Sequence, residues 1–354
     1  MKDTDKKISM QTIADKLGVT KVTVYRALNN IPGVSDRVKS DIIKCADELG
    51  YQYSKRTVNK YTGISDFACI VPQHFLAEHD RFYSKIYEHI QMLCNQHNIR
   101  LTLHVMTNKD EEEANIPPEI FLNTCSGVFF AGFISSKVIM KVKEKGKPIV
   151  LIDHFHHEFE LDSILSDNYY MGYVVACYLI EKGHENIGFV GDYNNIPNIA
   201  DRFLGLQKAL IENKLPIRRE NYIINDDWKT GLYTLNFRLP DPLPTAFVCH
   251  CDMAAYYLYE KLKLSGYSIP DDVSVISFDN TDIAETITPK LTSIYSSRKD
   301  FAELAFRQMV HRINYPDSMP EKNFIPFSLA ERDSVKDIRF LLICPPKNLG
   351  VKLM

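Results

Sequence analysis

The stretch GVTKVTVYRALNN, residues 18–30, decides how the amino-terminal region folds. Thr20 can cap a helix here, and Val24, Ala27 and Leu28 recur at helical spacing on one face. That face can pack against neighbouring helices. The rest of the helix surface carries Lys21, Val22, Tyr25, Arg26 and Asn29. A short helix with this outward surface is expected to bind a partner as well as to fill a core.

Two further short helices are predicted on either side of this stretch. Ser9 caps the first and Gly18 ends it, while Ser35 caps the third and Gly50 ends it. Helix, glycine turn and helix is the helix-turn-helix arrangement, whose second helix contacts base edges and phosphates of DNA. Spacing alone leaves DNA binding and a generic three-helix bundle about equally open, because such signals also arise by chance.

Length, composition and charge narrow the class of protein. The chain has 354 residues and 45% hydrophobic residues, which favours more than one domain. Residues 1–60 carry a net charge of +5 and the remainder −8, so a basic head is expected to meet an anionic partner. Without a signal-peptide pattern or a long apolar run, the sequence predicts a cytoplasmic protein that does not enter membranes. The eight scattered cysteines are expected to be free thiols.

From residue 63 onward, short apolar runs alternate with longer amphipathic stretches. The runs predicted to form strands are FACIVP, LTLHVM, GVFFAG, PIVLID, NIGFVGD, TAFVCH and DVSVISFD. The predicted helices between them cover residues 82–96, 170–182, 200–212, 253–264 and 299–313. This alternation is typical of βαβ units around a parallel sheet that is covered on both faces. The polar, basic stretch YSKRTVNKYTG before it is predicted to be a linker.

The amino-terminal stretch ISMQTIADKLGVTKVTVYRALNNIPGVSDRVKSDIIKCADELGY resembles the DNA-binding head of the LacI/GalR family of bacterial repressors. The leucine-glycine-valine turn, the Thr-Val-Tyr-Arg-x-Leu-Asn helix and the closing Leu-Gly-Tyr stand at the family's spacing. The resemblance implies binding to a double-stranded DNA operator. The residues it implies for DNA contact are Thr20, Lys21, Val22, Thr23, Tyr25, Arg26, Asn29, Ser35, Lys55 and Lys60.

The resemblance continues through the body, as far as about residue 334. The matching segments are DNYYMGYVVACYLIEKGHENIGFVGD, ADRFLGLQKAL, PTAFVCHCDMAA, IPDDVSVISFDNTDIAETITPKLTSI and PFSLAERDS. It implies an α/β two-lobed domain like periplasmic binding proteins, with a small-molecule effector in the cleft between discontinuous lobes. The expected divisions are 1–50 for the helix-turn-helix domain, 51–62 for the hinge, about 63–162 and 292–323 for the first lobe, about 163–291 and 324–340 for the second, and 341–354 for a tail.

Candidate effector contacts follow from the family match and from the rule that ligands of open α/β sheets lie beyond the carboxyl ends of strands. Asp279 and Arg202 match positions that bind effector hydroxyls, often those of a sugar. Asp153 and Asp252 lie at other strand ends, although Asp252 could instead cap a helix. Three aromatic residues complete the candidates: Trp228, which could equally be a packing residue, Phe75 after Gln73 and His74, and Tyr193.

Three departures from the family pattern carry expectations of their own. Cys251 stands where many members have an asparagine, which puts galactoside specificity in doubt. The linker ends in Lys60 and Tyr61 without the family's leucine, so weaker bending of DNA is expected. The tail has no leucine heptads, so a homodimer is expected instead of a tetramer.

Other chemistries are less well supported by the residues. The runs DHFHHE (153–158) and CHC (249–251) lack the spacing of a structural zinc site, and no phosphate-binding glycine motif or nucleophile elbow is present. No catalytic residue, metal or cofactor is therefore predicted. The sequence indicates a repressor controlled by a small-molecule effector, which is expected to be a sugar or a sugar derivative. A regulator that needs its effector to bind DNA stays open as an alternative, and a cytosolic sugar-active enzyme as a remote one.

Overall fold

The computed structural model describes residues 8–28, 33–51, 61, 63–76 and 82–339, except for the side chain of Asp36. It divides into two compact units, Met1–Ile64 and Ser65–Met354. Asn29, Lys55 and Lys60, most of the expected hinge and the whole 341–354 tail lie outside the described residues.

The residues described in the first unit form three helices: α1 (Met10–Leu17), α2 (Lys21–Leu28) and α3 (Asp36–Glu48). Ile13 of α1, Val24 of α2 and Ile42 of α3 are fully buried, so the helix faces predicted from spacing are confirmed. A bundle of this size has a small core, and its helix caps therefore contribute a large share of its stability.

The caps of this unit form side-chain hydrogen bonds at two of three predicted positions. Ser9 forms a capping box with Thr12, and the hydroxyl of Thr20 accepts a hydrogen bond from the Thr23 amide at 3.1 Å. Gly18 ends α1 with a φ of 63°, a left-handed conformation that suits glycine. Ser35 occupies the predicted N-cap position of α3, but its side chain makes no capping hydrogen bond.

The described part of the second unit contains eight α-helices and fourteen strands. The helices are α4 (Phe82–Gln96), α5 (Asn108–Glu113), α6 (Ser136–Lys143), α7 (Asn168–Glu181), α8 (Pro197–Glu212), α9 (Asp252–Leu264), α10 (Asp282–Thr286) and α11 (Arg298–Asn314). The strands are β1 (Asp66–Pro72), β2 (Arg100–Met106), β3 (Cys125–Ala131), β4 (Ile149–Ile152), β5 (Asp162–Ser166), β6 (Ile187–Val190), β7 (Tyr222–Ile223), β8 (Asp226–Asp227), β9 (Leu232–Tyr233), β10 (Ala246–Cys249), β11 (Ser274–Phe278), β12 (Thr292–Ser296), β13 (Lys322–Ile325) and β14 (Phe327–Ala330).

Twelve of these strands form two six-stranded sheets, one in each lobe. The first sheet has the order β13-β5-β4-β3-β1-β2 and is parallel throughout. The second has the order β14-β12-β11-β10-β6-β7, in which only β14 runs antiparallel to its neighbour. Their inner strands are apolar and buried, as expected for sheets covered by helices on both faces.

The chain passes between the lobes three times: after β5, after β12 and between β13 and β14. The whole of β5 (162–166) belongs to the first sheet, and β12 pairs with β11 of the second. The predicted lobe bounds near 162 and 292 are therefore wrong by one short strand each. Neither strand carries a local signal of its partner, because pairing is decided by tertiary structure.

Each lobe has its own apolar core. The seven cysteines within the described part of the chain are all free thiols, as predicted. None of the described helices is both long enough and apolar enough to cross a membrane.

Candidate functional sites: the α2 surface and the cavity between the lobes

The exposed face of α2 is the candidate site of the first unit. Lys21, Val22, Tyr25 and Arg26 are exposed on it, and Val22 keeps 59% of its surface in contact with solvent. This face thus combines apolar side chains with two cations, groups that can contact base edges and phosphates. Of the other residues expected to contact DNA, Thr20 and Ser35 are exposed and Thr23 is half-buried.

The second unit contains a cavity of about 540 Å³ between its two lobes. The carboxyl ends of β1, β3 and β4 border it from the first lobe, and those of β10 and β11 from the second. Five predicted residues line it: Phe75, Asp153, Arg202, Trp228 and Asp279. The cavity lies where parallel sheets generally bind ligands, because the polar loops after their strands converge there.

Arg202 is placed in the cavity by the close packing of α8 against α7. Any side chain on Gly172 of α7 would collide with the backbone carbonyl of Arg202, so glycine is needed there. The guanidinium donates from Nε to Asn168 Oδ1 at 2.8 Å and from Nη1 to the His250 carbonyl. Its Nη2 lies 3.4 Å from Asp279 Oδ1. All three nitrogens are thus held, and the group is a rigid part of the cavity wall.

Asp153 and Asp279 follow β4 and β11 in left-handed backbone conformations, with φ of 61° and 91°. Asp153 is 3% exposed, and its Oδ2 accepts hydrogen bonds from Tyr83 Oη and Asn198 Nδ2, both at 2.9 Å. Burial raises the pKa of Asp153 to about 6, although nearby Arg202 opposes the shift. The strained backbone turns both carboxylates towards the cavity, an arrangement common at functional sites.

Asp252 does not line the cavity, and it does not cap α9 either, because Cys251 is the N-cap residue of that helix. It is the first residue of α9 and 1% exposed. Its carboxylate accepts hydrogen bonds from Ser277 Oγ at 2.5 Å, Ser293 Oγ at 2.7 Å and Thr281 Oγ1 at 2.9 Å. It ties α9 to β11 and β12, and burial raises its pKa to about 6.

Tyr193 also lies away from the cavity, contrary to the sequence prediction. Its ring stacks on Phe203 with centroids 4.3 Å apart and meets Tyr222 edge to face. These contacts place it at the rim of the second lobe's apolar core. The sequence showed a tyrosine after a strand but not the aromatic cluster that captures it.

Trp228 lies at the turn of the β8–β9 hairpin, which reaches from the second lobe to the first. Asn108 Nδ2 donates to the Lys229 carbonyl at 2.7 Å, and a side chain on Gly231 would meet the His74 carbonyl. The hairpin therefore touches the first lobe at two points beside the cavity. Asn108 was not predicted, because nothing in its local sequence indicates contact with a residue so distant in the chain.

Several cavity residues were missed by the sequence analysis. Asp226 at the start of the hairpin and Asn198 at the first turn of α8 carry no motif. His250 was considered only for a metal site, although its position directly after β10 could have identified it. Burial lowers the pKa of His250, and that of His74 to about 4, so both rings are neutral at physiological pH. The ring of Tyr233 stacks on His250, and its hydroxyl forms a hydrogen bond with Cys251 Sγ at 3.1 Å.

The described residues contain no candidate metal-binding site. Within the described ranges, no group of three or more histidine, cysteine or carboxylate side chains could hold an ion. The side chains of His154 and His156, in the run DHFHHE, form hydrogen bonds with backbone carbonyl groups instead.

Comparison with known proteins bears on both sites. Residues 9–54 match the profile described as bacterial regulatory proteins, lacI family, and residues 176–335 match that of a periplasmic binding protein-like domain. The chain belongs to the LacI family. The predicted fold, a helix-turn-helix head followed by a two-lobed α/β domain, is thereby confirmed.

Individual LacI-family proteins match along nearly their whole length. Catabolite control protein A of Priestia megaterium is 24% identical over 342 residues, covering 93% of this chain and 99% of the relative. The structure of the regulator CelR in complex with cellobiose has a TM-score of 0.67 at 21% identity, covering 92% and 99%. A lac repressor dimer bound to operator and an anti-inducer has a TM-score of 0.66 at 19% identity, covering 94% and 100%.

Proposed function

We propose that this LacI-family chain is a sequence-specific transcriptional repressor whose operator affinity is controlled by a sugar-type effector in the cavity between the lobes. The observation that carries the proposal is the pairing, in one chain, of a family-matched helix-turn-helix unit with a cavity built from strand ends. A surface for DNA and a site for a small molecule are the two sites that allosteric control requires.

On the DNA side, α2 supplies the groups that read and hold a duplex. Arg26 and Lys21 can donate to guanine or to phosphate, and Val22 can contact a thymine methyl group. Thr20, Thr23 and Ser35 offer hydroxyls to the phosphate backbone. Asn29, Lys55 and Lys60 are proposed to extend this contact. As a homodimer acting in the cytoplasm, the protein would read two half-sites related by two-fold symmetry, with weak DNA bending.

On the effector side, Arg202 and Asp279 offer a fixed donor and a fixed acceptor to ligand hydroxyls, as Asp153 does from the other lobe. The rings of Phe75 and Trp228 supply apolar surface for the face of a sugar. The related regulator CelR is known with cellobiose, which supports this ligand class. We assign the cavity to binding without catalysis, in line with the transcriptional regulators that the chain resembles.

The test is an electrophoretic shift with a random-sequence DNA library, followed by titration of sugars into the selected complex. The proposal expects one recovered operator with two half-sites and a change in its affinity with one sugar. Release of DNA by the sugar supports repression relieved by an inducer, whereas tighter binding supports the effector-dependent alternative. Binding without any sequence preference at physiological salt would overturn the proposal.

A further inference from the structure

The hairpin of β8 and β9 stands apart from both six-stranded sheets and covers one side of the cavity. Within the described chain its two strands pair only with each other, Asp226 with Tyr233 and Asp227 with Leu232. Residues from both strands and from the turn border the cavity, Trp228 among them. A single two-stranded hairpin has little stability of its own, so its position depends on the groups to which it is attached.

The base of the hairpin is attached firmly to the second lobe. Asn225, directly before β8, is fully buried, and its Nδ2 donates to the Ala254 carbonyl at 3.0 Å. The amide of Thr234, directly after β9, donates to the Asn225 carbonyl at 2.8 Å. The ring of Tyr233 stacks on Tyr257 with centroids 5.4 Å apart. Because buried and stacked groups hold a segment in place, the base of the hairpin moves with the second lobe.

The turn of the hairpin reaches the first lobe through contacts at Lys229 and Gly231. Asn108 Nδ2, at the start of α5, donates to the Lys229 carbonyl at 2.7 Å. At Gly231 the backbone passes so close to His74 that a Cβ atom would lie 2.5 Å from the His74 carbonyl oxygen. Asn108 and Lys229 are exposed, and a hydrogen bond between exposed groups contributes little net free energy. These contacts can therefore break and re-form while both lobes stay folded.

The same contacts determine where Trp228 lies. Trp228 directly precedes Lys229, and hydrogen bonds within the turn join both of them to Gly231. The Lys229 amide donates to Asp227 Oδ1 at 3.0 Å, and the Gly231 amide donates to the Asp227 carbonyl at 2.8 Å. A turn with these bonds moves as one piece. Holding Lys229 and Gly231 on the first lobe therefore also holds the indole ring at the cavity.

We infer that the β8–β9 hairpin is a lid over the cavity, attached to the second lobe at its base and fastened to the first lobe by Asn108 and by the close approach of Gly231 to His74. Asn108 and Gly231 are positioning residues, which act on the cavity through Trp228. The inference rests on the proposed function, whose binding site the lid covers. Because the same contacts join the lobes, release of the lid exposes the cavity and loosens the connection between the lobes in one step.

The fluorescence of Trp228 measures the state of the lid, because it is the only tryptophan of the chain. Quenching by acrylamide is compared in the full parent chain, Asn108→Ala and Asn95→Ala. Asn108→Ala releases the turn, so its quenching constant should rise at least about 1.5-fold while its urea midpoint stays at the parental value. Asn95→Ala removes an exposed amide from α4 of the same lobe and should match the parent.

Two results of this comparison would overturn the role of Asn108. The first is an equal quenching constant in all three chains, which would show that the turn is not held by this side chain. The second is a rise in quenching that comes with a lowered urea midpoint, because the side chain would then stabilise the fold instead of positioning the lid.

Gly231→Ala and Gly146→Ala form a matched pair for the contact with His74. Both glycines have left-handed backbones, with φ of 69° and 68°, so alanine strains both to a similar degree. At Gly231 the added methyl group meets the His74 carbonyl, whereas no described atom lies within 4 Å of it at Gly146. Gly231→Ala should raise the quenching constant at least as much as Asn108→Ala, and Gly146→Ala should not change it. Equal constants for the two glycine variants would contradict the lid, and circular dichroism establishes that both are folded.

The lid and the regulatory function can fail separately. Quenching uses neither DNA nor sugar, so parental constants in Asn108→Ala and Gly231→Ala would remove the lid even if a sugar still shifts operator affinity. If the chain shows no sequence preference for DNA, the regulatory function fails, and raised constants in these two variants would still support the lid.

Discussion

The surface of α2 and the cavity between the lobes place their functional groups in opposite environments. On α2 the functional groups are exposed, solvated and carried by one short helix over a small core. In the cavity they are buried and charged, and they come from both lobes. A substitution on the exposed surface can change binding without loss of the fold. In the buried charged network the binding groups contact the structural groups, so a substitution there can affect both binding and stability. The two regions should therefore respond differently to substitution.

The largest expected effect comes from a substitution that breaks the buried hydrogen-bond network and leaves the residues lining the cavity unchanged. Asp252→Ala leaves Ser277, Ser293 and Thr281 without their shared acceptor, at a cost of about 3 to 5 kcal/mol in the free energy of unfolding. Urea unfolding followed by Trp228 fluorescence measures it. Asp271→Ala is the control, because its carboxylate is an exposed partner of Lys336 and its loss should cost less than about 1 kcal/mol. Similar midpoints for both variants would contradict the structural role of Asp252.

The next effect separates binding from folding within the cavity. Arg202→Ala removes the group that holds Asn168 and pairs with Asp279, so effector affinity should fall at least about a hundredfold. Arg218→Ala, on an exposed loop, should leave it unchanged. Operator affinity without effector should be the same in all three chains. A parental response to effector in Arg202→Ala would show that this guanidinium is not part of the site.

On α2 the expected loss is smaller and confined to DNA. Lys21→Ala should lower operator affinity about tenfold, because it removes one base or phosphate contact. Val22→Ala should mainly change the preferred operator sequence. Lys44→Ala, on an exposed position of α3, serves as the control. Fluorescence anisotropy with the selected operator measures all three, and urea unfolding of the second unit should be unaffected. A matching loss with Lys44→Ala would mean that general charge, and not the α2 surface, binds DNA.

The smallest expected effect concerns pH. Burial raises the pKa of Asp153 to about 6, so between about pH 4 and 6 the unfolded chain releases this proton first. Stability contributed by the protonated group is thus present at low pH and lost as pH rises through 6. Asp153→Asn cannot titrate, so its stability should rise relative to that of the parent as pH increases across that window.

The measurement is the difference in urea midpoints between these two chains at pH 4.5 and pH 7. Taking the difference removes the opposite contribution of His74 and His154, whose pKa values are lowered by burial to about 4 and about 3. A difference that does not change with pH would contradict a raised pKa for Asp153.

Sequence information was sufficient where structure is local. The face of α2 followed from helical spacing, and the caps Ser9 and Thr20 from side-chain chemistry, because all their partners lie within a few residues. Arg202, Asp279 and Trp228 were found because family motifs and strand ends mark them. Their roles in binding are still predictions.

Tertiary contacts account for what the sequence did not reveal. Asp252 and Tyr193 follow strands, as the residues that line the cavity do. However, Asp252 accepts hydrogen bonds from hydroxyl groups of β11 and β12, and Tyr193 stacks on Phe203. Asp226 carries no motif and reaches the cavity only because the β8–β9 hairpin extends towards the first lobe. Such contacts depend on which distant segments of the chain pack together, and a single sequence carries no pattern that identifies those pairs.

The central claim is that a ligand in the cavity changes the affinity of the helix-turn-helix unit for its operator. Anisotropy of a labelled operator with the full chain, titrated with the sugar that calorimetry identifies, tests it most directly. The account predicts a shift in operator affinity with its midpoint near the calorimetric dissociation constant, and no shift in Arg202→Ala. A sugar that fills the cavity while operator affinity stays constant would contradict it.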